Sequence, residues 1–358
     1  MHQQEVHIRS FVLNESQVEY IALNWHNNRM RKERLPDDPP IPLEETIANL
    51  KSLPDFVDVR LWAAWSADQN EIVALGELVL VRMKENQHLC QFDITVLPEF
   101  RQRGLGRQLL VLIAEDARQD NRRMLMTNTV DRIPAGEAFM MKIGAQKGLE
   151  IRTSQLRMAE LDHELLRRWL ARGQENQPGF ELGFWDGPFP EEQIQEIAEL
   201  NDLMNDQPFG ELEINKMHMT PEQLRQIEAN LFARGSQRWI FYVIDRVTGK
   251  FAGYTETVWN ANRPEILHQN MTGVFSQFRR KGLGRWLKAA MLEKVLAERP
   301  QVKFVRTGNA DSNAAMLKIN TEIGFKPYMA ETLWQMTLEK VSDYLRAHEG
   351  LRERPASA

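Results

Sequence analysis

Arg279-Arg280-Lys281-Gly282-Leu283-Gly284 is the stretch of this sequence best suited to chemistry. It stands between a β-rich run, Ile266–Val274, and a helical pattern that continues to about Arg299. The first amides of a helix have no partner inside it and sit at the positive end of its dipole, so such a turn holds anions. Glycine lets a phosphate come close to the backbone, because no Cβ stands in the way. The same arrangement occurs earlier, as Arg101-Gln102-Arg103-Gly104-Leu105-Gly106 after the run Leu89–Val96. One such turn is a weak signal, whereas two in matching context are a strong one. Gly104 and Gly282 lie 282 − 104 = 178 positions apart, the spacing of a duplicated domain and not of a solenoid repeat.

The elements around the two turns repeat in the same order. In the first half the pattern predicts a strand at Val6–Leu13, a helix at Glu15–Arg34 capped by Asn14, and a helix at Leu43–Leu53. Strands are expected at Arg60–Ser66, Ile72–Val81, Leu89–Val96 and Met124–Asn128, a short helix at Gly136–Ile143, and a strand at Glu150–Ala159. A helical connector, His163–Arg172, and a polar break, Gln174–Gly179, follow. The second half predicts a strand at Phe180–Phe184 and helices at Glu191–Met204 and Pro221–Ala233. Thr220 and Gln223 form a capping box for the latter. Strands at Arg238–Asp245, Lys250–Val258 and Ile266–Val274 lead to the second turn. A strand at Lys303–Thr307, a helix at Asn313–Ile323 and a strand at Leu333–Leu338 come after it. The domains are therefore expected at residues 1–160 and 180–340, with a connector at 161–179 and a tail at 341–358, disordered after about His348.

The chain has 358 residues, enough for two cores, and a net charge of −5. That balance argues against a broad nucleic-acid or anionic-membrane surface. The one cysteine, Cys90, rules out an internal disulfide and fits a reducing compartment. Met1–Glu5 lead into no apolar signal core, and no run approaches membrane-spanning length, so a cytoplasmic monomer or homodimer is expected. The eight histidines show no paired metal-ligand spacing, and no metal is expected.

Both turns carry (Gln/Arg)-x-x-Gly-x-(Gly/Ala), at Arg101/Gly104/Gly106 and Arg279/Gly282/Gly284. With the element order, this resembles the GNAT superfamily of acyl-CoA-dependent N-acyltransferases, present twice. The layout is similar to that of two-domain acetyltransferases such as mycothiol synthase. The resemblance implies an α/β fold with mixed α+β character: two tandem domains, each a mostly antiparallel mixed sheet flanked by helices. It implies acetyl-CoA as co-substrate and a small-molecule primary amine as acceptor. The backbone amides of Arg280, Lys281, Gly282, Leu283, Gly284 and Arg285 would cradle the pyrophosphate, and Val274 and Phe275 would bond the pantetheine. Asn309 and Asn313 belong to a later block that in the family contacts CoA. In the first half Val96, Arg101, Arg103, Gly104 and Gly106 would take the matching places.

Transfer to an amine needs a base, because an ammonium has no lone pair. His268 lies in the strand before the second turn, six residues from Val274, an even offset that predicts a shared face. Its intrinsic pKa of about 6.5 suits the task. Its expected counterpart in the first half is Cys90. Glu256 on the preceding strand is the other candidate. Asn320 stands where the resemblance implies a proton-donating tyrosine, with Met140 in the first half; Asn320 donates a hydrogen bond but no proton. Tyr254 and Tyr328 are alternative acids. The acceptor site is expected in Asn205–Met219, with Asp206, Glu211 and Glu213, and Trp239, Trp259 and Trp334 as apolar lining or core. The first half has Pro134 and no asparagine aligned to Asn313, and Gly144-Ala145 replaces Gly324-Phe325. The second half is therefore expected to be the catalyst and the first a degenerate or scaffolding copy. A non-catalytic CoA sensor is the alternative to an enzyme.

Overall fold

The computed structural model describes residues 6–11, 17–176 and 179–349. The expected cap Asn14, residues 177 and 178 of the break, and the tail beyond Glu349 lie outside the described residues.

The chain runs β1 (His7–Phe11), α1 (Gln17–Arg34), α2 (Leu43–Lys51), β2 (Val57–Trp65), β3 (Ile72–Val81), β4 (Leu89–Val96), α3 (Leu105–Gln119), β5 (Met124–Val130), α4 (Pro134–Lys142) and β6 (Gln146–Arg157). After α5 (His163–Asn176) it continues through β7 (Phe180–Asp186), α6 (Ile194–Asn201), α7 (Pro221–Ala233), β8 (Ser236–Asp245), β9 (Phe251–Asn260) and β10 (Ile266–Val274). It ends with α8 (Leu283–Glu298), β11 (Phe304–Ala310), α9 (Ala314–Ile323), β12 (Lys326–Thr337) and α10 (Leu338–Glu349). The bounds of β3, β4, β10 and α7 are those the sequence predicts, and the Thr220–Gln223 capping box forms.

Contacts divide the chain into two compact units. One comprises Met1–Glu150, Glu211–Asn215 and Glu331–Ala358, the other Ile151–Gly210 and Lys216–Ala330. In the first the strand order is β1-β2-β3-β4-β5-β12, antiparallel except for the parallel pair β4·β5. In the second it is β6-β11-β10-β9-β8-β7, antiparallel except for β10·β11. The borders expected at residues 160 and 180 are thus displaced. Each half gives its closing strand to the other's unit: β6 pairs with β11 from Ile151 to Arg157, and β12 pairs with β5 from Glu331 to Thr337. A period-2 pattern says which face of a strand is buried, not which neighbour it lies beside.

The expected tail is a second departure. Leu338 begins α10 instead of ending a strand, and Leu338 and Val341 bury themselves in the first unit's core. Arg118 on α3 ties the helix down by donating to Ser342 Oγ at 2.8 Å.

In the first unit α3 covers one face of the sheet, with Leu110, Ile113 and Ala117 against Leu78, Phe92 and Leu125. α1 covers the other, through Ala22 and Leu23 against Leu61 and Leu75. His26 fastens this second layer: its ring nitrogens bond the Ile72 carbonyl at 2.9 Å and Thr95 Oγ1 at 2.8 Å. Burial holds that imidazole neutral, with its pKa lowered to about 4. The second unit has the same two layers, with α8 against Leu267 and Val305 and α6 against Ile240 and Tyr254.

Candidate active site

Both glycine turns adopt one backbone shape. Gln102 and Arg280 have φ of 62° and 65°, and Gly104 and Gly282 follow at 83° and 81°. A left-handed glycine here aims the leading amides of α3 and α8 outward. A Cβ added at Gly282 would meet nothing within 4 Å, so the space in front of the turn is open. Among the described residues no backbone carbonyl accepts from the amides of Gly282, Leu283 or Gly284, whereas the Arg285 amide turns back on the Gly282 carbonyl at 3.1 Å. The amides of residues 282–284 therefore fit a phosphate, and that of Arg285, expected among them, is committed to the helix.

The motif's cations divide their work. Arg101 Nε donates to the Val96 carbonyl at 3.0 Å and Arg279 Nε to the Val274 carbonyl at 3.0 Å. The same guanidinium groups pair with Glu33 and with Asp206. These arginines lash the turn to the strand end. Arg103 donates to the Glu99 carbonyl at 2.7 Å, Arg285 forks onto Glu322, and the Lys281 ammonium lies 5.1 Å from the Phe180 ring centroid. Arg280 is exposed, and no other described residue pairs with its guanidinium.

Above each turn a parallel strand pair parts. β4 and β5 are in register at Leu89↔Met124, Cys90↔Leu125 and Gln91↔Met126, and β10 and β11 at Ile266↔Phe304, Leu267↔Val305 and His268↔Arg306. Beyond these residues the strands stay bonded only to their outer neighbours. The inner edges are left with backbone groups that an extended ligand can pair.

A carboxylate stands at each parting. Gly76 faces α3, so its neighbour Glu77 faces the α1 side, directly across from Asp93 on β4. Glu77 is half-buried, and its pKa is pushed up to about 7, mainly by desolvation and then by the Asp93 charge. Asp93 reaches solvent from a crowded recess whose desolvation raises its carboxyl too, while Arg34 pulls the other way. In the second unit Glu256 takes the place of Glu77. Desolvation raises it, and Asn270 opposes this by donating to Oε1 at 2.8 Å. The Glu77–Asp93 pair escaped sequence reasoning, although both lie at polar positions of strands whose bounds it recovered. What was missing was the cross-strand register.

Register also corrects the reading of His268. β10 carries a bulge between Gln269 and Thr272, and β4 shows no such shift. The added residue inverts the alternation, so the even offset from His268 to Val274 ends on opposite faces. The counterpart of His268 is Gln91, not Cys90, since each is the last residue of its parallel pairing. Cys90 is buried, and burial pushes its thiol up to about 12. His268 is exposed and shares a face with Val258 and hence with Glu256.

Other expected residues are already engaged. The Phe275 amide donates to the Ala252 carbonyl at 2.9 Å, and its own carbonyl accepts from Phe278, so its backbone does not face a pantetheine chain. Asn313 caps α9 by accepting from the Met316 amide and donates to Gln207 Oε1 at 3.0 Å. Asn320 is buried and donates to Asn309 Oδ1 at 2.7 Å, while its own Oδ1 has no partner among the described residues. Tyr254 is buried, and its phenol is raised by desolvation; Tyr328 accepts from Arg306 at 3.1 Å.

The expected acceptor loop is split. Asp206 stays in the second unit, paired to Arg279. Glu211–Asn215 belong to the first: Leu212 packs on Leu89 and Met126, and Gln335 both accepts from the Glu213 amide and donates to the Glu211 carbonyl. Trp239 is core, the Trp259 indole donates to the Pro264 carbonyl at 3.0 Å, and Trp334 belongs to the first unit's core. Among the described residues no group of side chains has the make-up of a metal site, and no helix is long and apolar enough to cross a membrane.

Comparison with known proteins agrees with this fold. Residues 23–144 match the model of the acetyltransferase (GNAT) family, so the match falls in the half expected to be degenerate. A tandem GNAT protein from the clavulanic acid biosynthesis pathway is similar in structure, with a TM-score of 0.74 at 24% identity, covering 93% of this chain and 99% of its own. A GCN5-related N-acetyltransferase from Sphaerobacter thermophilus gives a TM-score of 0.62 at 13% identity, covering 93% of this chain and 96% of its own. No curated protein matches the sequence.

Proposed function

From a chain that carries a GNAT acetyltransferase domain and folds as a tandem of that architecture, we propose an N-acetyltransferase that moves acetyl from acetyl-CoA to a primary amine of a small molecule. The observation that carries this reading is a coincidence found in each unit. An amide-lined turn, a strand pair that parts above it and a carboxylate at the parting occur together.

The leading amides of α8 and Arg280 would hold the phosphates of the second site, and those of α3 the first. Acetyl-CoA supplies a thioester whose acyl carbon the amine nitrogen attacks as the C–S bond breaks. Glu77 accepts the proton the amine must lose. A carboxyl with a pKa of about 7 is half-ionised at neutral pH and is a far stronger base than an ordinary one. Glu256 has the matching place, with His268 on its face as second candidate. Neither Asn320 nor Met140 can protonate the leaving thiolate, so that proton comes from water.

A second reading, a CoA-binding sensor, draws support from that missing acid. Calorimetric titration of acetyl-CoA into wild type, Gly106→Glu, Gly284→Glu and the double variant tests the donor sites. Each single variant should lose one site and the double both. Wild type that binds nothing would sink both readings. Binding with no CoA release across a panel of amines would leave the sensor.

A further inference from the structure

Four positions between sheet and long helix differ together from one half to the other. In the first they are Gly76, Phe92, Ile94 and Leu110, a hydrocarbon layer in which Gly76 lies against Leu109. In the second their places are taken by Thr255, Gln269, Thr272 and Lys288, all buried. Lys288 Nζ donates to Gln269 Oε1 at 2.9 Å. Gln269 Nε2 donates to Thr255 Oγ1 at 2.9 Å and to Thr272 Oγ1 at 3.2 Å, and the two hydroxyls meet at 2.7 Å. Thr255 Oγ1 also lies 3.4 Å from the Met271 carbonyl. Lys288 is 1% exposed, with the Phe325 ring 5.4 Å away and no carboxylate in ion-pair reach among the described residues. A lone amine so placed is expensive to bury, and Leu110 shows that the fold does not require it.

The chain of bonds ends at the bulge. Gln269 and Thr272 are its two shoulders, and Asn270 and Met271 lie between them, where β10 leaves β11. The half without the bulge is also the half without the amine, the amide and the hydroxyls. We propose that Lys288 is a positioning residue: through Gln269 and Thr255 it holds the bulge that shapes the second half's acyl-transfer site. The inference rests on the reading of that parting as a thioester site. It does not put Lys288 in contact with substrate. Asn270, fixed by the same bulge, is also the residue that bonds Glu256.

The test is Lys288→Leu, which installs the first half's residue, with Gln269→Leu as a second break in the chain. Hydrogen exchange followed by mass spectrometry on the full chain should show faster exchange in residues 266–275 of both variants, while residues 89–97 stay unchanged. Acetyl-CoA affinity should hold within about twofold, and turnover through the second site, read in a Gly106→Glu background, should fall about tenfold or more as the site loosens. Unchanged exchange at 266–275 in both variants would overturn the proposal whether or not the protein turns over. Faster exchange with undiminished turnover would overturn the positioning role. Faster exchange in a wild-type-inactive protein would leave the bulge lock standing and sink the acyltransferase reading.

Discussion

At the parting of β4 and β5 a glutamate faces an aspartate, Glu77 across from Asp93; at the parting of β10 and β11 a glutamate is bonded by an amide, Glu256 by Asn270. The turns are alike in the two units, down to the left-handed angles of Gly104 and Gly282, while β10 alone carries the bulge. The contrast is one of electrostatics. Desolvation raises both glutamates; a second carboxylate adds to this at Glu77, whereas a donated hydrogen bond opposes it at Glu256. Behind the sheet the contrast runs the other way, with Leu110 inert and Lys288 polar. Both copies keep the backbone of the turn while the charged groups at the two partings differ, because amides come from the fold and charge comes from replaceable side chains.

Five substitutions would break or sharpen that contrast. The largest effect is expected from Glu77→Gln, which should lower kcat through the first site, isolated in Gly284→Glu, by about 100-fold or more with acetyl-CoA affinity unchanged. Glu256→Gln in the Gly106→Glu background measures the other half of the comparison, and equal losses would mean that Asn270 does not matter. Next is Lys288→Leu on stability. The Lys288 pKa is lowered from 10.5 to about 7 by burial alone. Between those values the unfolded chain binds a proton the folded chain does not, so native stability rises with pH across that window. The variant should therefore gain about 1–3 kcal/mol in denaturant unfolding at pH 6–7, after loss of the Gln269 bond, and less at pH 10. A gain independent of pH would show that Lys288 is charged inside the fold.

Asp93→Asn is subtler. Its charge is the second cause of the raised Glu77 pKa, after desolvation. The acid limb of the first site's pH–rate profile should move below 7 yet stay above 4.5, the ordinary value. A limb that does not move would separate the pair. The smallest effect concerns the helices on this face. α7 has the Thr220–Gln223 box, whereas α2 follows Pro42 with no side-chain cap. Thr220→Ala should cost about 1 kcal/mol in chemical unfolding, with little change in turnover through the first site.

Much of this could be read from residue order. The glycine turns, the strands on either side of them and the capping box depend on neighbours a few residues apart, and each formed where the sequence predicts. The site was legible to the same depth: Gly282–Gly284 and Glu256 were visible, Glu77 and Asp93 were not. His268 was misphased by one inserted residue in β10, a shift that only a strand partner reveals. The Asn309, Asn313 and Asn320 block is present, but its amides bond one another, the helix end and Gln207.

By itself the sequence determined that the chain is a duplication, where its two glycine turns lie, and which strands lead into them. Only the tertiary structure decided which strand closes which sheet, which carboxylates meet, and that Lys288 is buried with no counter-charge among the described residues. The division has a physical cause. Turns and helix starts are governed by backbone sterics and bonds that close within a few residues. Register, desolvation and proton affinity are set by groups from distant parts of the chain, as when Asp93 faces Glu77 or Lys288 reaches Gln269.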